Sequence, residues 1–451
     1  MAVLAEEIRT QLAGIVGLAE ATTDPVVCMR LAVDGKIPGC VVSPESPEQV
    51  AQILKYATEY GWAVIASGGA TRLGIGNAPK KYDIALRTGN ITRVRYYEPS
   101  DLTAGVGAGM TLQDLQALLE PDGLWLPLDP SGGSQSTIGG IVATNATGPL
   151  SHFYGAPRDM VVGMQVATPE GKLIRTGGRV VKNVAGYDLG KLLIGSHGTL
   201  GVITEVNLKL FPLLAERQTF VLSTGTLGIA RDLRRSILSS PIEPLRMVLL
   251  DPETASAVHS GVQSVVAARE PQIWLEAGGS QSVIGRTLKE LDVMGRAVGA
   301  KVHEFESSGA EGAWRRISDF SNWVSKDYRG AAVLKGTLPI AACEEFLSLA
   351  QQEALSEKAR MASVALLGTG TLHLGLLDLK SVDQAAGLIT RIRKSAEKVG
   401  GALFVISAAA GVKGQVDAWG EPGTAFELMR KLKTAWDPKG ILAPGRFVGS
   451  I

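Results

Sequence analysis

The chain has 451 residues, past the roughly 250–300 at which one hydrophobic core stops growing, so two domains are expected. Its 45 Lys and Arg nearly cancel 44 Asp and Glu, which leaves no basic field to hold a nucleic acid. Glycine supplies 54 residues, about 12% against a typical ~7%, and the 45% apolar composition excludes a disordered or collagen-like chain.

Cys28, Cys40 and Cys343 are too scattered for a disulfide framework or a Cys-x-x-Cys zinc or iron–sulfur site. Glu6, Glu7 and Arg9 stand near the start with no basic region leading into an apolar run, so no secretory signal is read and the cytoplasm is expected. The longest uncharged stretch, Pro130 to Pro157, has 28 residues, but six are Gly and seven are Ser or Thr, so no transmembrane span is expected.

Residues 1–39 read as an N-terminal helical segment. Ser46-Pro47-Glu48-Gln49 then supplies a cap, a helix-starting proline and a capping-box glutamine. Val50, Ile53, Leu54 and Ala57 follow on one apolar face, predicting a helix from about 47 to 60. Gly61 ends it, and Ala63-Val64-Ile65-Ala66 reads as a short buried strand running into Ser67-Gly68-Gly69. Thr111 caps a second helix with Leu112, Leu115, Leu118 and Leu119 on one side, and Thr168-Pro169-Glu170-Gly171 is turn chemistry between β-rich runs. From Val202 to Leu210 the sequence alternates, with Glu205, Asn207 and Lys209 on the second face, and this is the clearest strand. Beyond Pro212, longer helical patterns alternate with short strands such as Ile273-Trp274-Leu275-Glu276, which places a boundary near 216 and a second α+β unit after it. The turn-rich end, Trp436 to Gly440 and Pro444-Gly445-Arg446, is expected to return to the first domain, and no internal repeat is visible.

The five histidines, at 152, 197, 259, 303 and 373, never fall two to four residues apart, so no local metal pair exists and no metal is expected. No Gly-x-Ser-x-Gly elbow is present either. Gly105-Val106-Gly107-Ala108-Gly109 approaches a dinucleotide fingerprint, but Met110 stands where the third glycine belongs. Gly186 to Lys191 is one residue short of a P-loop, and Leu192 replaces its hydroxyl residue. Three glycine clusters remain, Ser67 to Gly76, Ser131 to Gly148 and Gly195 to Gly201. Without Cβ atoms such loops turn amides toward a pyrophosphate, and a large phosphorylated cofactor could lie across all three; tight turns are the plain alternative for each alone.

In this order the clusters resemble the FAD-binding domain of the vanillyl-alcohol oxidase and p-cresol methylhydroxylase (PCMH) superfamily. The resemblance is carried by Ser67-Gly68-Gly69-Ala70-Thr71-Arg72-Leu73, which in that family holds the diphosphate, by Pro127 to Pro130, and by Thr137-Ile138-Gly139-Gly140 through Thr144-Asn145 to Gly148. Tyr154-Gly155 with Arg158-Asp159 follows, and then Gly195-Ser196-His197-Gly198-Thr199-Leu200-Gly201-Val202-Ile203. Within the superfamily, Gly177-Gly178-Arg179 through Tyr187-Asp188-Leu189 is similar to the glycolate oxidase FAD-binding subunit, and Asp24-Pro25, Asp437-Pro438 and Pro444-Gly445 resemble the wider D-2-hydroxyacid dehydrogenase branch. The stretch 217–420 matches only loosely.

Catalytic members of that branch carry His-Ala-Gly-Asp-Gly-Asn-Leu-His and a later Glu-His, which hold a divalent metal and the substrate hydroxyl. Here the first reads Leu366-Leu367-Gly368-Thr369-Gly370-Thr371-Leu372-His373, and the second aligns with Ala409-Ala410. Trp314-Arg315-Arg316 is similar to a Trp-x-x-Arg carboxylate site one place out of register, and Lys335 before Thr337-Leu338-Pro339 to a second basic position. The site residues implied are Arg315, Arg316, Lys335 and His373 for catalysis. For FAD they are Ser67 to Leu73, Pro130, Thr137, Gly139, Gly140, Thr144, Asn145, Gly148, Arg158, Gly195, Gly198, Thr199, Gly201, Val202 and Ile203. No His accompanies Ala70, so the flavin is expected to be noncovalent.

The resemblance implies an α+β protein: a two-part PCMH-type FAD-binding domain at 40–216, an α+β cap with a ferredoxin-like sheet at 217–420, serving substrate or interface, and a returning segment at 421–451. The function implied is that of the FAD-binding subunit of a glycolate oxidase-type complex. It would oxidise a small 2-hydroxy acid of the glycolate or D-lactate class, passing electrons to an iron–sulfur subunit beside a second flavoprotein subunit. Any membrane association would come through those partners. The alternatives are a noncatalytic flavin-fold assembly subunit and a self-sufficient D-lactate-type FAD dehydrogenase.

Overall fold

The computed structural model describes residues 2–178, 187–262 and 268–451, so most of the 177–189 motif lies outside the described residues. The chain divides into two units: Met1–Ala146, Ala156–Leu213 and Glu421–Ile451 form the first, and Thr147–Gly155 and Leu214–Gly420 the second. The segment 147–155, within the expected 40–216 span, groups with the second unit. Its helix, Ser151–Tyr154, packs on a strand of the second unit, and the His152 ring fills the space above Gly368, where any Cβ would overlap it.

In the first unit, strands β1 (Ala21–Thr22), β2 (Cys40–Val42), β3 (Val64–Ser67) and β4 (Ile84–Arg87) form a sheet in the order β1-β2-β4-β3. β2, β4 and β3 run parallel, which requires a crossover, and the helix Pro47–Tyr60 provides it between β2 and β3. The Ser46 side chain accepts from the Gln49 amide at 3.3 Å, and Gly61 ends the helix at φ 69°. Val50, Ile53, Leu54 and Ala57 bury their apolar face against Val42, Val64, Ile84 and Leu86.

A second sheet takes β5 (Val94–Glu98), β6 (Thr103–Gly107), β7 (Val161–Ala167), β8 (Leu173–Gly177) and β9 (Val202–Lys209) in the order β5-β6-β9-β7-β8. β9 is central and antiparallel to both neighbours. The near-fingerprint glycines are packing residues: Gly105 and Gly107 lie within β6, and a Cβ on Gly107 would overlap the Ile91 carbonyl. The tail joins this unit by pairing Leu442 with Val64 in parallel, at the strand that leads into the first glycine cluster.

The second unit is built on eight antiparallel strands: β10 (Arg217–Ser223), β11 (Arg246–Leu250), β12 (Gln272–Gly278), β13 (Lys301–Phe305), β14 (Ala332–Thr337), β15 (Arg360–Leu366), β16 (Thr371–Leu377) and β17 (Ala402–Ser407). Their order is β13-β10-β12-β11-β15-β16-β14-β17. Each half is a βαββαβ unit with its four strands ordered 4-1-3-2, the first carrying an extra helix, Pro252–Val262, between its second and third strands, and the two halves join edge to edge through β11 and β15. The repeat absent from the sequence is therefore present in the topology. Helices Leu227–Leu238, Gln281–Val298, Cys343–Ser356 and Val382–Lys398 cover one face over a core including Phe220, Leu249, Phe346 and Leu374. On the other face Val221, Trp274, Trp314, Phe320 and Val364 form a separate core. The first helices of the two halves are tied by a buried bidentate pair, with Arg234 donating to both Glu344 oxygens at 2.7 and 3.0 Å.

Candidate functional site

A cavity of about 890 Å³, counted with the open solvent at its mouth, lies within the first unit. Its walls come from the three glycine clusters and the tail: Ile65 to Leu73 with Ile75, Thr137 to Thr144, His197 to Ile203, and Ala443 with Arg446. The first loop leaves the end of β3 and is pressed onto the second cluster so tightly that a Cβ on Gly68 would overlap Thr137 and one on Gly69 the Gln135 carbonyl. Glycine is required there by close approach. Thr137 caps the helix Ile138–Thr144, its Oγ1 accepting from the Gly140 amide at 3.3 Å.

Backbone strain gathers around the same space. Of the nine non-glycine residues with positive φ among the described residues, Ala70, His197 and Ala443 line the cavity, at 56°, 54° and 44°. A fourth, Asn145 at 43°, ends the Ile138–Thr144 helix. Such conformations cost about 1–3 kcal/mol each and persist where surrounding structure enforces them, most often at ligand sites.

The polar lining fits an FAD molecule. Ser67 Oγ is buried on the cavity wall without a hydrogen-bond partner, as is Asn145 Oδ1 at the helix end. The backbone amides of Gly69, Ala70 and Thr71 donate to no backbone acceptor among the described residues, which suits a diphosphate cradle. Charge comes from Arg72 and Arg446, and no acidic side chain lines the cavity among the described residues. Arg72 bridges two clusters, donating to Ser136 Oγ at 3.1 Å and to the Ser131 carbonyl.

Of the cofactor residues expected from sequence, Ser67 to Leu73, Thr137, Gly139, Gly140, Thr144, Gly198, Gly201, Val202 and Ile203 line this cavity. Pro130, Asn145, Gly195 and Thr199 are not among the lining residues; Gly195 donates to the Val142 carbonyl at 3.1 Å, and Thr199 closes its own turn on Ser196 at 2.7 Å. Two further expected residues are not among those lining it either. Gly148 belongs to the second unit, and Arg158 is exposed on the one-turn helix Pro157–Met160 rather than lining the cavity. Sequence reasoning missed Thr88, His197, Ala443 and Arg446 as lining residues, although the Pro444-Gly445-Arg446 turn signalled that the tail was structured.

In the second unit the four catalytic candidates separate. Lys335 and His373 are direct cross-strand partners on β14 and β16. His373 is half-buried with Nδ1 enclosed, and burial, followed by the Lys335 charge, pushes its pKa down to about 3, so it stays neutral. Arg316 is committed elsewhere: it pairs with Asp327 at 3.2 Å, donates to the Ala257 carbonyl and stacks on Trp323. Arg315 is exposed on the same helix, Ser307–Ser318. Two buried features escaped the sequence reading. His152 Nδ1 is enclosed above Gly368, in the stretch aligned with the metal motif, and Arg246 pairs with Glu276 at 3.0 Å while stacking on Trp314. Among the described residues no group of three His, Cys, Asp or Glu is arranged to hold a metal ion.

A glycine-walled trough in an α+β unit, with a large antiparallel sheet in the unit that follows, defines a two-domain dinucleotide-binding protein. Residues 38–177 match the FAD binding domain family, and residues 214–447 match the family described as FAD linked oxidases, C-terminal domain. The chain belongs to the FAD-linked oxidases and is an FAD-dependent oxidoreductase. It is 29% identical to a D-lactate dehydrogenase of Archaeoglobus fulgidus over 94% of both chains. To the glycolate oxidase subunit GlcD of Bacillus subtilis it is 26% identical, over 91% of this chain and 89% of that protein. Among solved structures it matches p-cresol methylhydroxylase with substrate bound at a TM-score of 0.79 and 15% identity, over 99% of this chain and 97% of that one, which shows the PCMH-type fold.

Proposed function

We propose that the protein oxidises a small 2-hydroxy acid of the glycolate or D-lactate class as the FAD-binding subunit of a glycolate oxidase-type complex. The observation that carries this reading is the trough, with its crowded glycines and orphaned Ser67 hydroxyl, in a chain whose relatives include a glycolate oxidase subunit and D-lactate dehydrogenases. Bound FAD supplies the hydride acceptor. Ser67 to Thr71 hold the diphosphate through backbone amides, and Arg72 and Arg446 offset its charge. On the substrate side, Lys335, the cross-strand partner of His373, is taken as the carboxylate partner. His373, held neutral beside Lys335, accepts a hydrogen bond from the substrate hydroxyl; its low pKa makes it a weak base. Lys335→Ala is expected to raise KM by about 10- to 100-fold, the value of one charged contact, with a smaller change in kcat.

Electrons leave through a partner in this reading. The three cysteines are buried and unlinked, and burial raises the thiol pKa of Cys40 and Cys343 to about 12, so the chain offers no cluster site of its own. The flavin is held noncovalently; His197 in the wall makes that testable, since acid precipitation should release all the yellow colour. A second reading, a noncatalytic assembly subunit, draws on the weak basicity of His373 and the ion pair at Arg316. Anaerobic mixing of the isolated chain with glycolate and with D-lactate separates the readings. Bleaching by the chain alone supports catalysis, bleaching only with partners supports the subunit role, and steady turnover with a dye acceptor alone supports a self-sufficient dehydrogenase. No helix among the described residues is long and apolar enough to cross a membrane.

A further inference from the structure

We propose that the C-terminal tail is a clasp of the flavin site and that Arg446 is the cation it contributes to the FAD diphosphate, so that flavin binding and tail docking are one linked equilibrium. This rests on the flavin reading above and goes beyond it by assigning a role to a segment far from the glycine clusters in sequence.

The clasp grips two of the three clusters. At one end the buried Lys433 of helix Phe426–Trp436 donates from Nζ to the Thr199 carbonyl at 2.9 Å, inside the third cluster, and to Leu442 O at 2.8 Å and Asp437 Oδ2 at 2.7 Å. The Asp437 carboxylate in turn accepts from the amides of Ile441 and Leu442 at 3.0 and 2.8 Å, fixing the turn between helix and strap. Next, the chain pairs with β3: Val64 N donates to Ile441 O and Ala443 N to Val64 O, both at 2.8 Å. At the other end Arg446 donates from Nη2 to the carbonyls of Leu73, at 2.6 Å, and Ile75, the exit of the first loop. Its own carbonyl accepts from Asn77 N at 3.1 Å. The tail thus sets the spacing between the first and third clusters, and Ala443 enters the cavity wall in its strained conformation on the way.

Arg446 is more than a brace. Only 7% exposed, it lines the cavity; two backbone carbonyls orient its Nη2, and Asp34, which is not among the lining residues, acts on the guanidinium charge from behind the wall. A buried cation on the wall of a trough with no acidic lining residue among those described suits a doubly charged diphosphate, and a guanidinium can grip phosphate oxygens in a fork. Once bound, such an anion would hold the tail in place through Arg446, and the docked tail would hold both loops at the spacing the anion needs.

The test uses the full chain stripped of flavin, with FAD and ADP as probes, titrated at low and high potassium chloride. Arg446→Gln should weaken both ligands by about 10- to 100-fold at low salt, the loss expected for one charge-assisted hydrogen bond. That deficit should narrow as salt rises, because only the wild type has the charge to screen. Arg446→Lys, which keeps the charge and loses the fork, should fall between them and retain the salt dependence; it also carries the test if the Gln variant fails to fold. Hydrogen exchange across residues 437–447 should slow when FAD or ADP is added to the wild type. Binding by the Gln variant within about twofold of wild type, or an equal, salt-independent deficit in both variants, would overturn the assignment. A wild-type chain that binds neither probe would instead overturn the flavin reading itself.

Discussion

The two units use their glycines and charges in opposite ways. In the first, glycines open space: Gly68 and Gly69 let two loops close on each other while their backbone borders a cavity, and strained Ala70, His197 and Ala443 stand around it. In the second, the space is filled. A ring closes over Gly368, Arg316 is consumed by Asp327, and Arg234 by Glu344, in a sheet whose repeated βαββαβ halves are covered on both faces. The flavin half therefore declares its ligand through the cost of its geometry. The sheet half shows mainly how it is held together, and its function must be tested side chain by side chain.

The sharpest break in that contrast comes at Gly69. A single methyl group there meets the Gln135 backbone, which cannot move without shifting the cavity wall, so Gly69→Ala should yield protein with flavin content reduced at least about tenfold, read from the flavin-to-protein absorbance ratio. Folding of the second unit, followed by tryptophan fluorescence, should be retained. A second break, read in stability rather than in flavin content, is at the ion pair between the repeats. Arg234→Met strands a buried Glu344 and should cost about 3–5 kcal/mol in denaturant unfolding, whereas the double Met variant should recover most of it, since the loss reflects an orphaned charge.

The pH response sharpens the comparison further. His373 has a folded pKa near 3, below its unfolded value of ~6.5. Its contribution to stability is thus full above pH ~6.5 and is lost as pH falls toward 3. The difference in melting temperature between wild type and His373→Gln should shift steadily against the wild type across that interval, with flavin affinity at neutral pH unchanged. A difference that is flat with pH would remove the burial argument for His373. The smallest effect expected is at Ser67, where Ala removes one hydroxyl from the cavity wall and should weaken FAD by about 2- to 10-fold.

Much of the first unit was legible because local chemistry and global role coincide there. Ser46, Pro47 and Gly61 delimit a helix by capping rules, and the alternation through Val202 to Lys209 reports a strand with neighbours on both sides. The ordered glycine clusters pointed to the cavity, but Arg446 did not stand out, since its place in the wall arises from a strand pairing with Val64 across nearly the whole chain. In the second unit the repeat was invisible, because two βαββαβ halves need only matching patterns of apolar positions and not matching residues. The Arg316–Asp327 and His152–Gly368 contacts are likewise tertiary events without a local signature.

The most direct test is a crystal structure of the yellow protein. The account predicts a single FAD whose diphosphate lies against the Gly68–Thr71 amides, within reach of Ser67 Oγ and the Arg446 guanidinium, with Thr137–Thr144 and His197–Ile203 as its walls. Flavin density elsewhere in the molecule, with this trough holding only water, would contradict it.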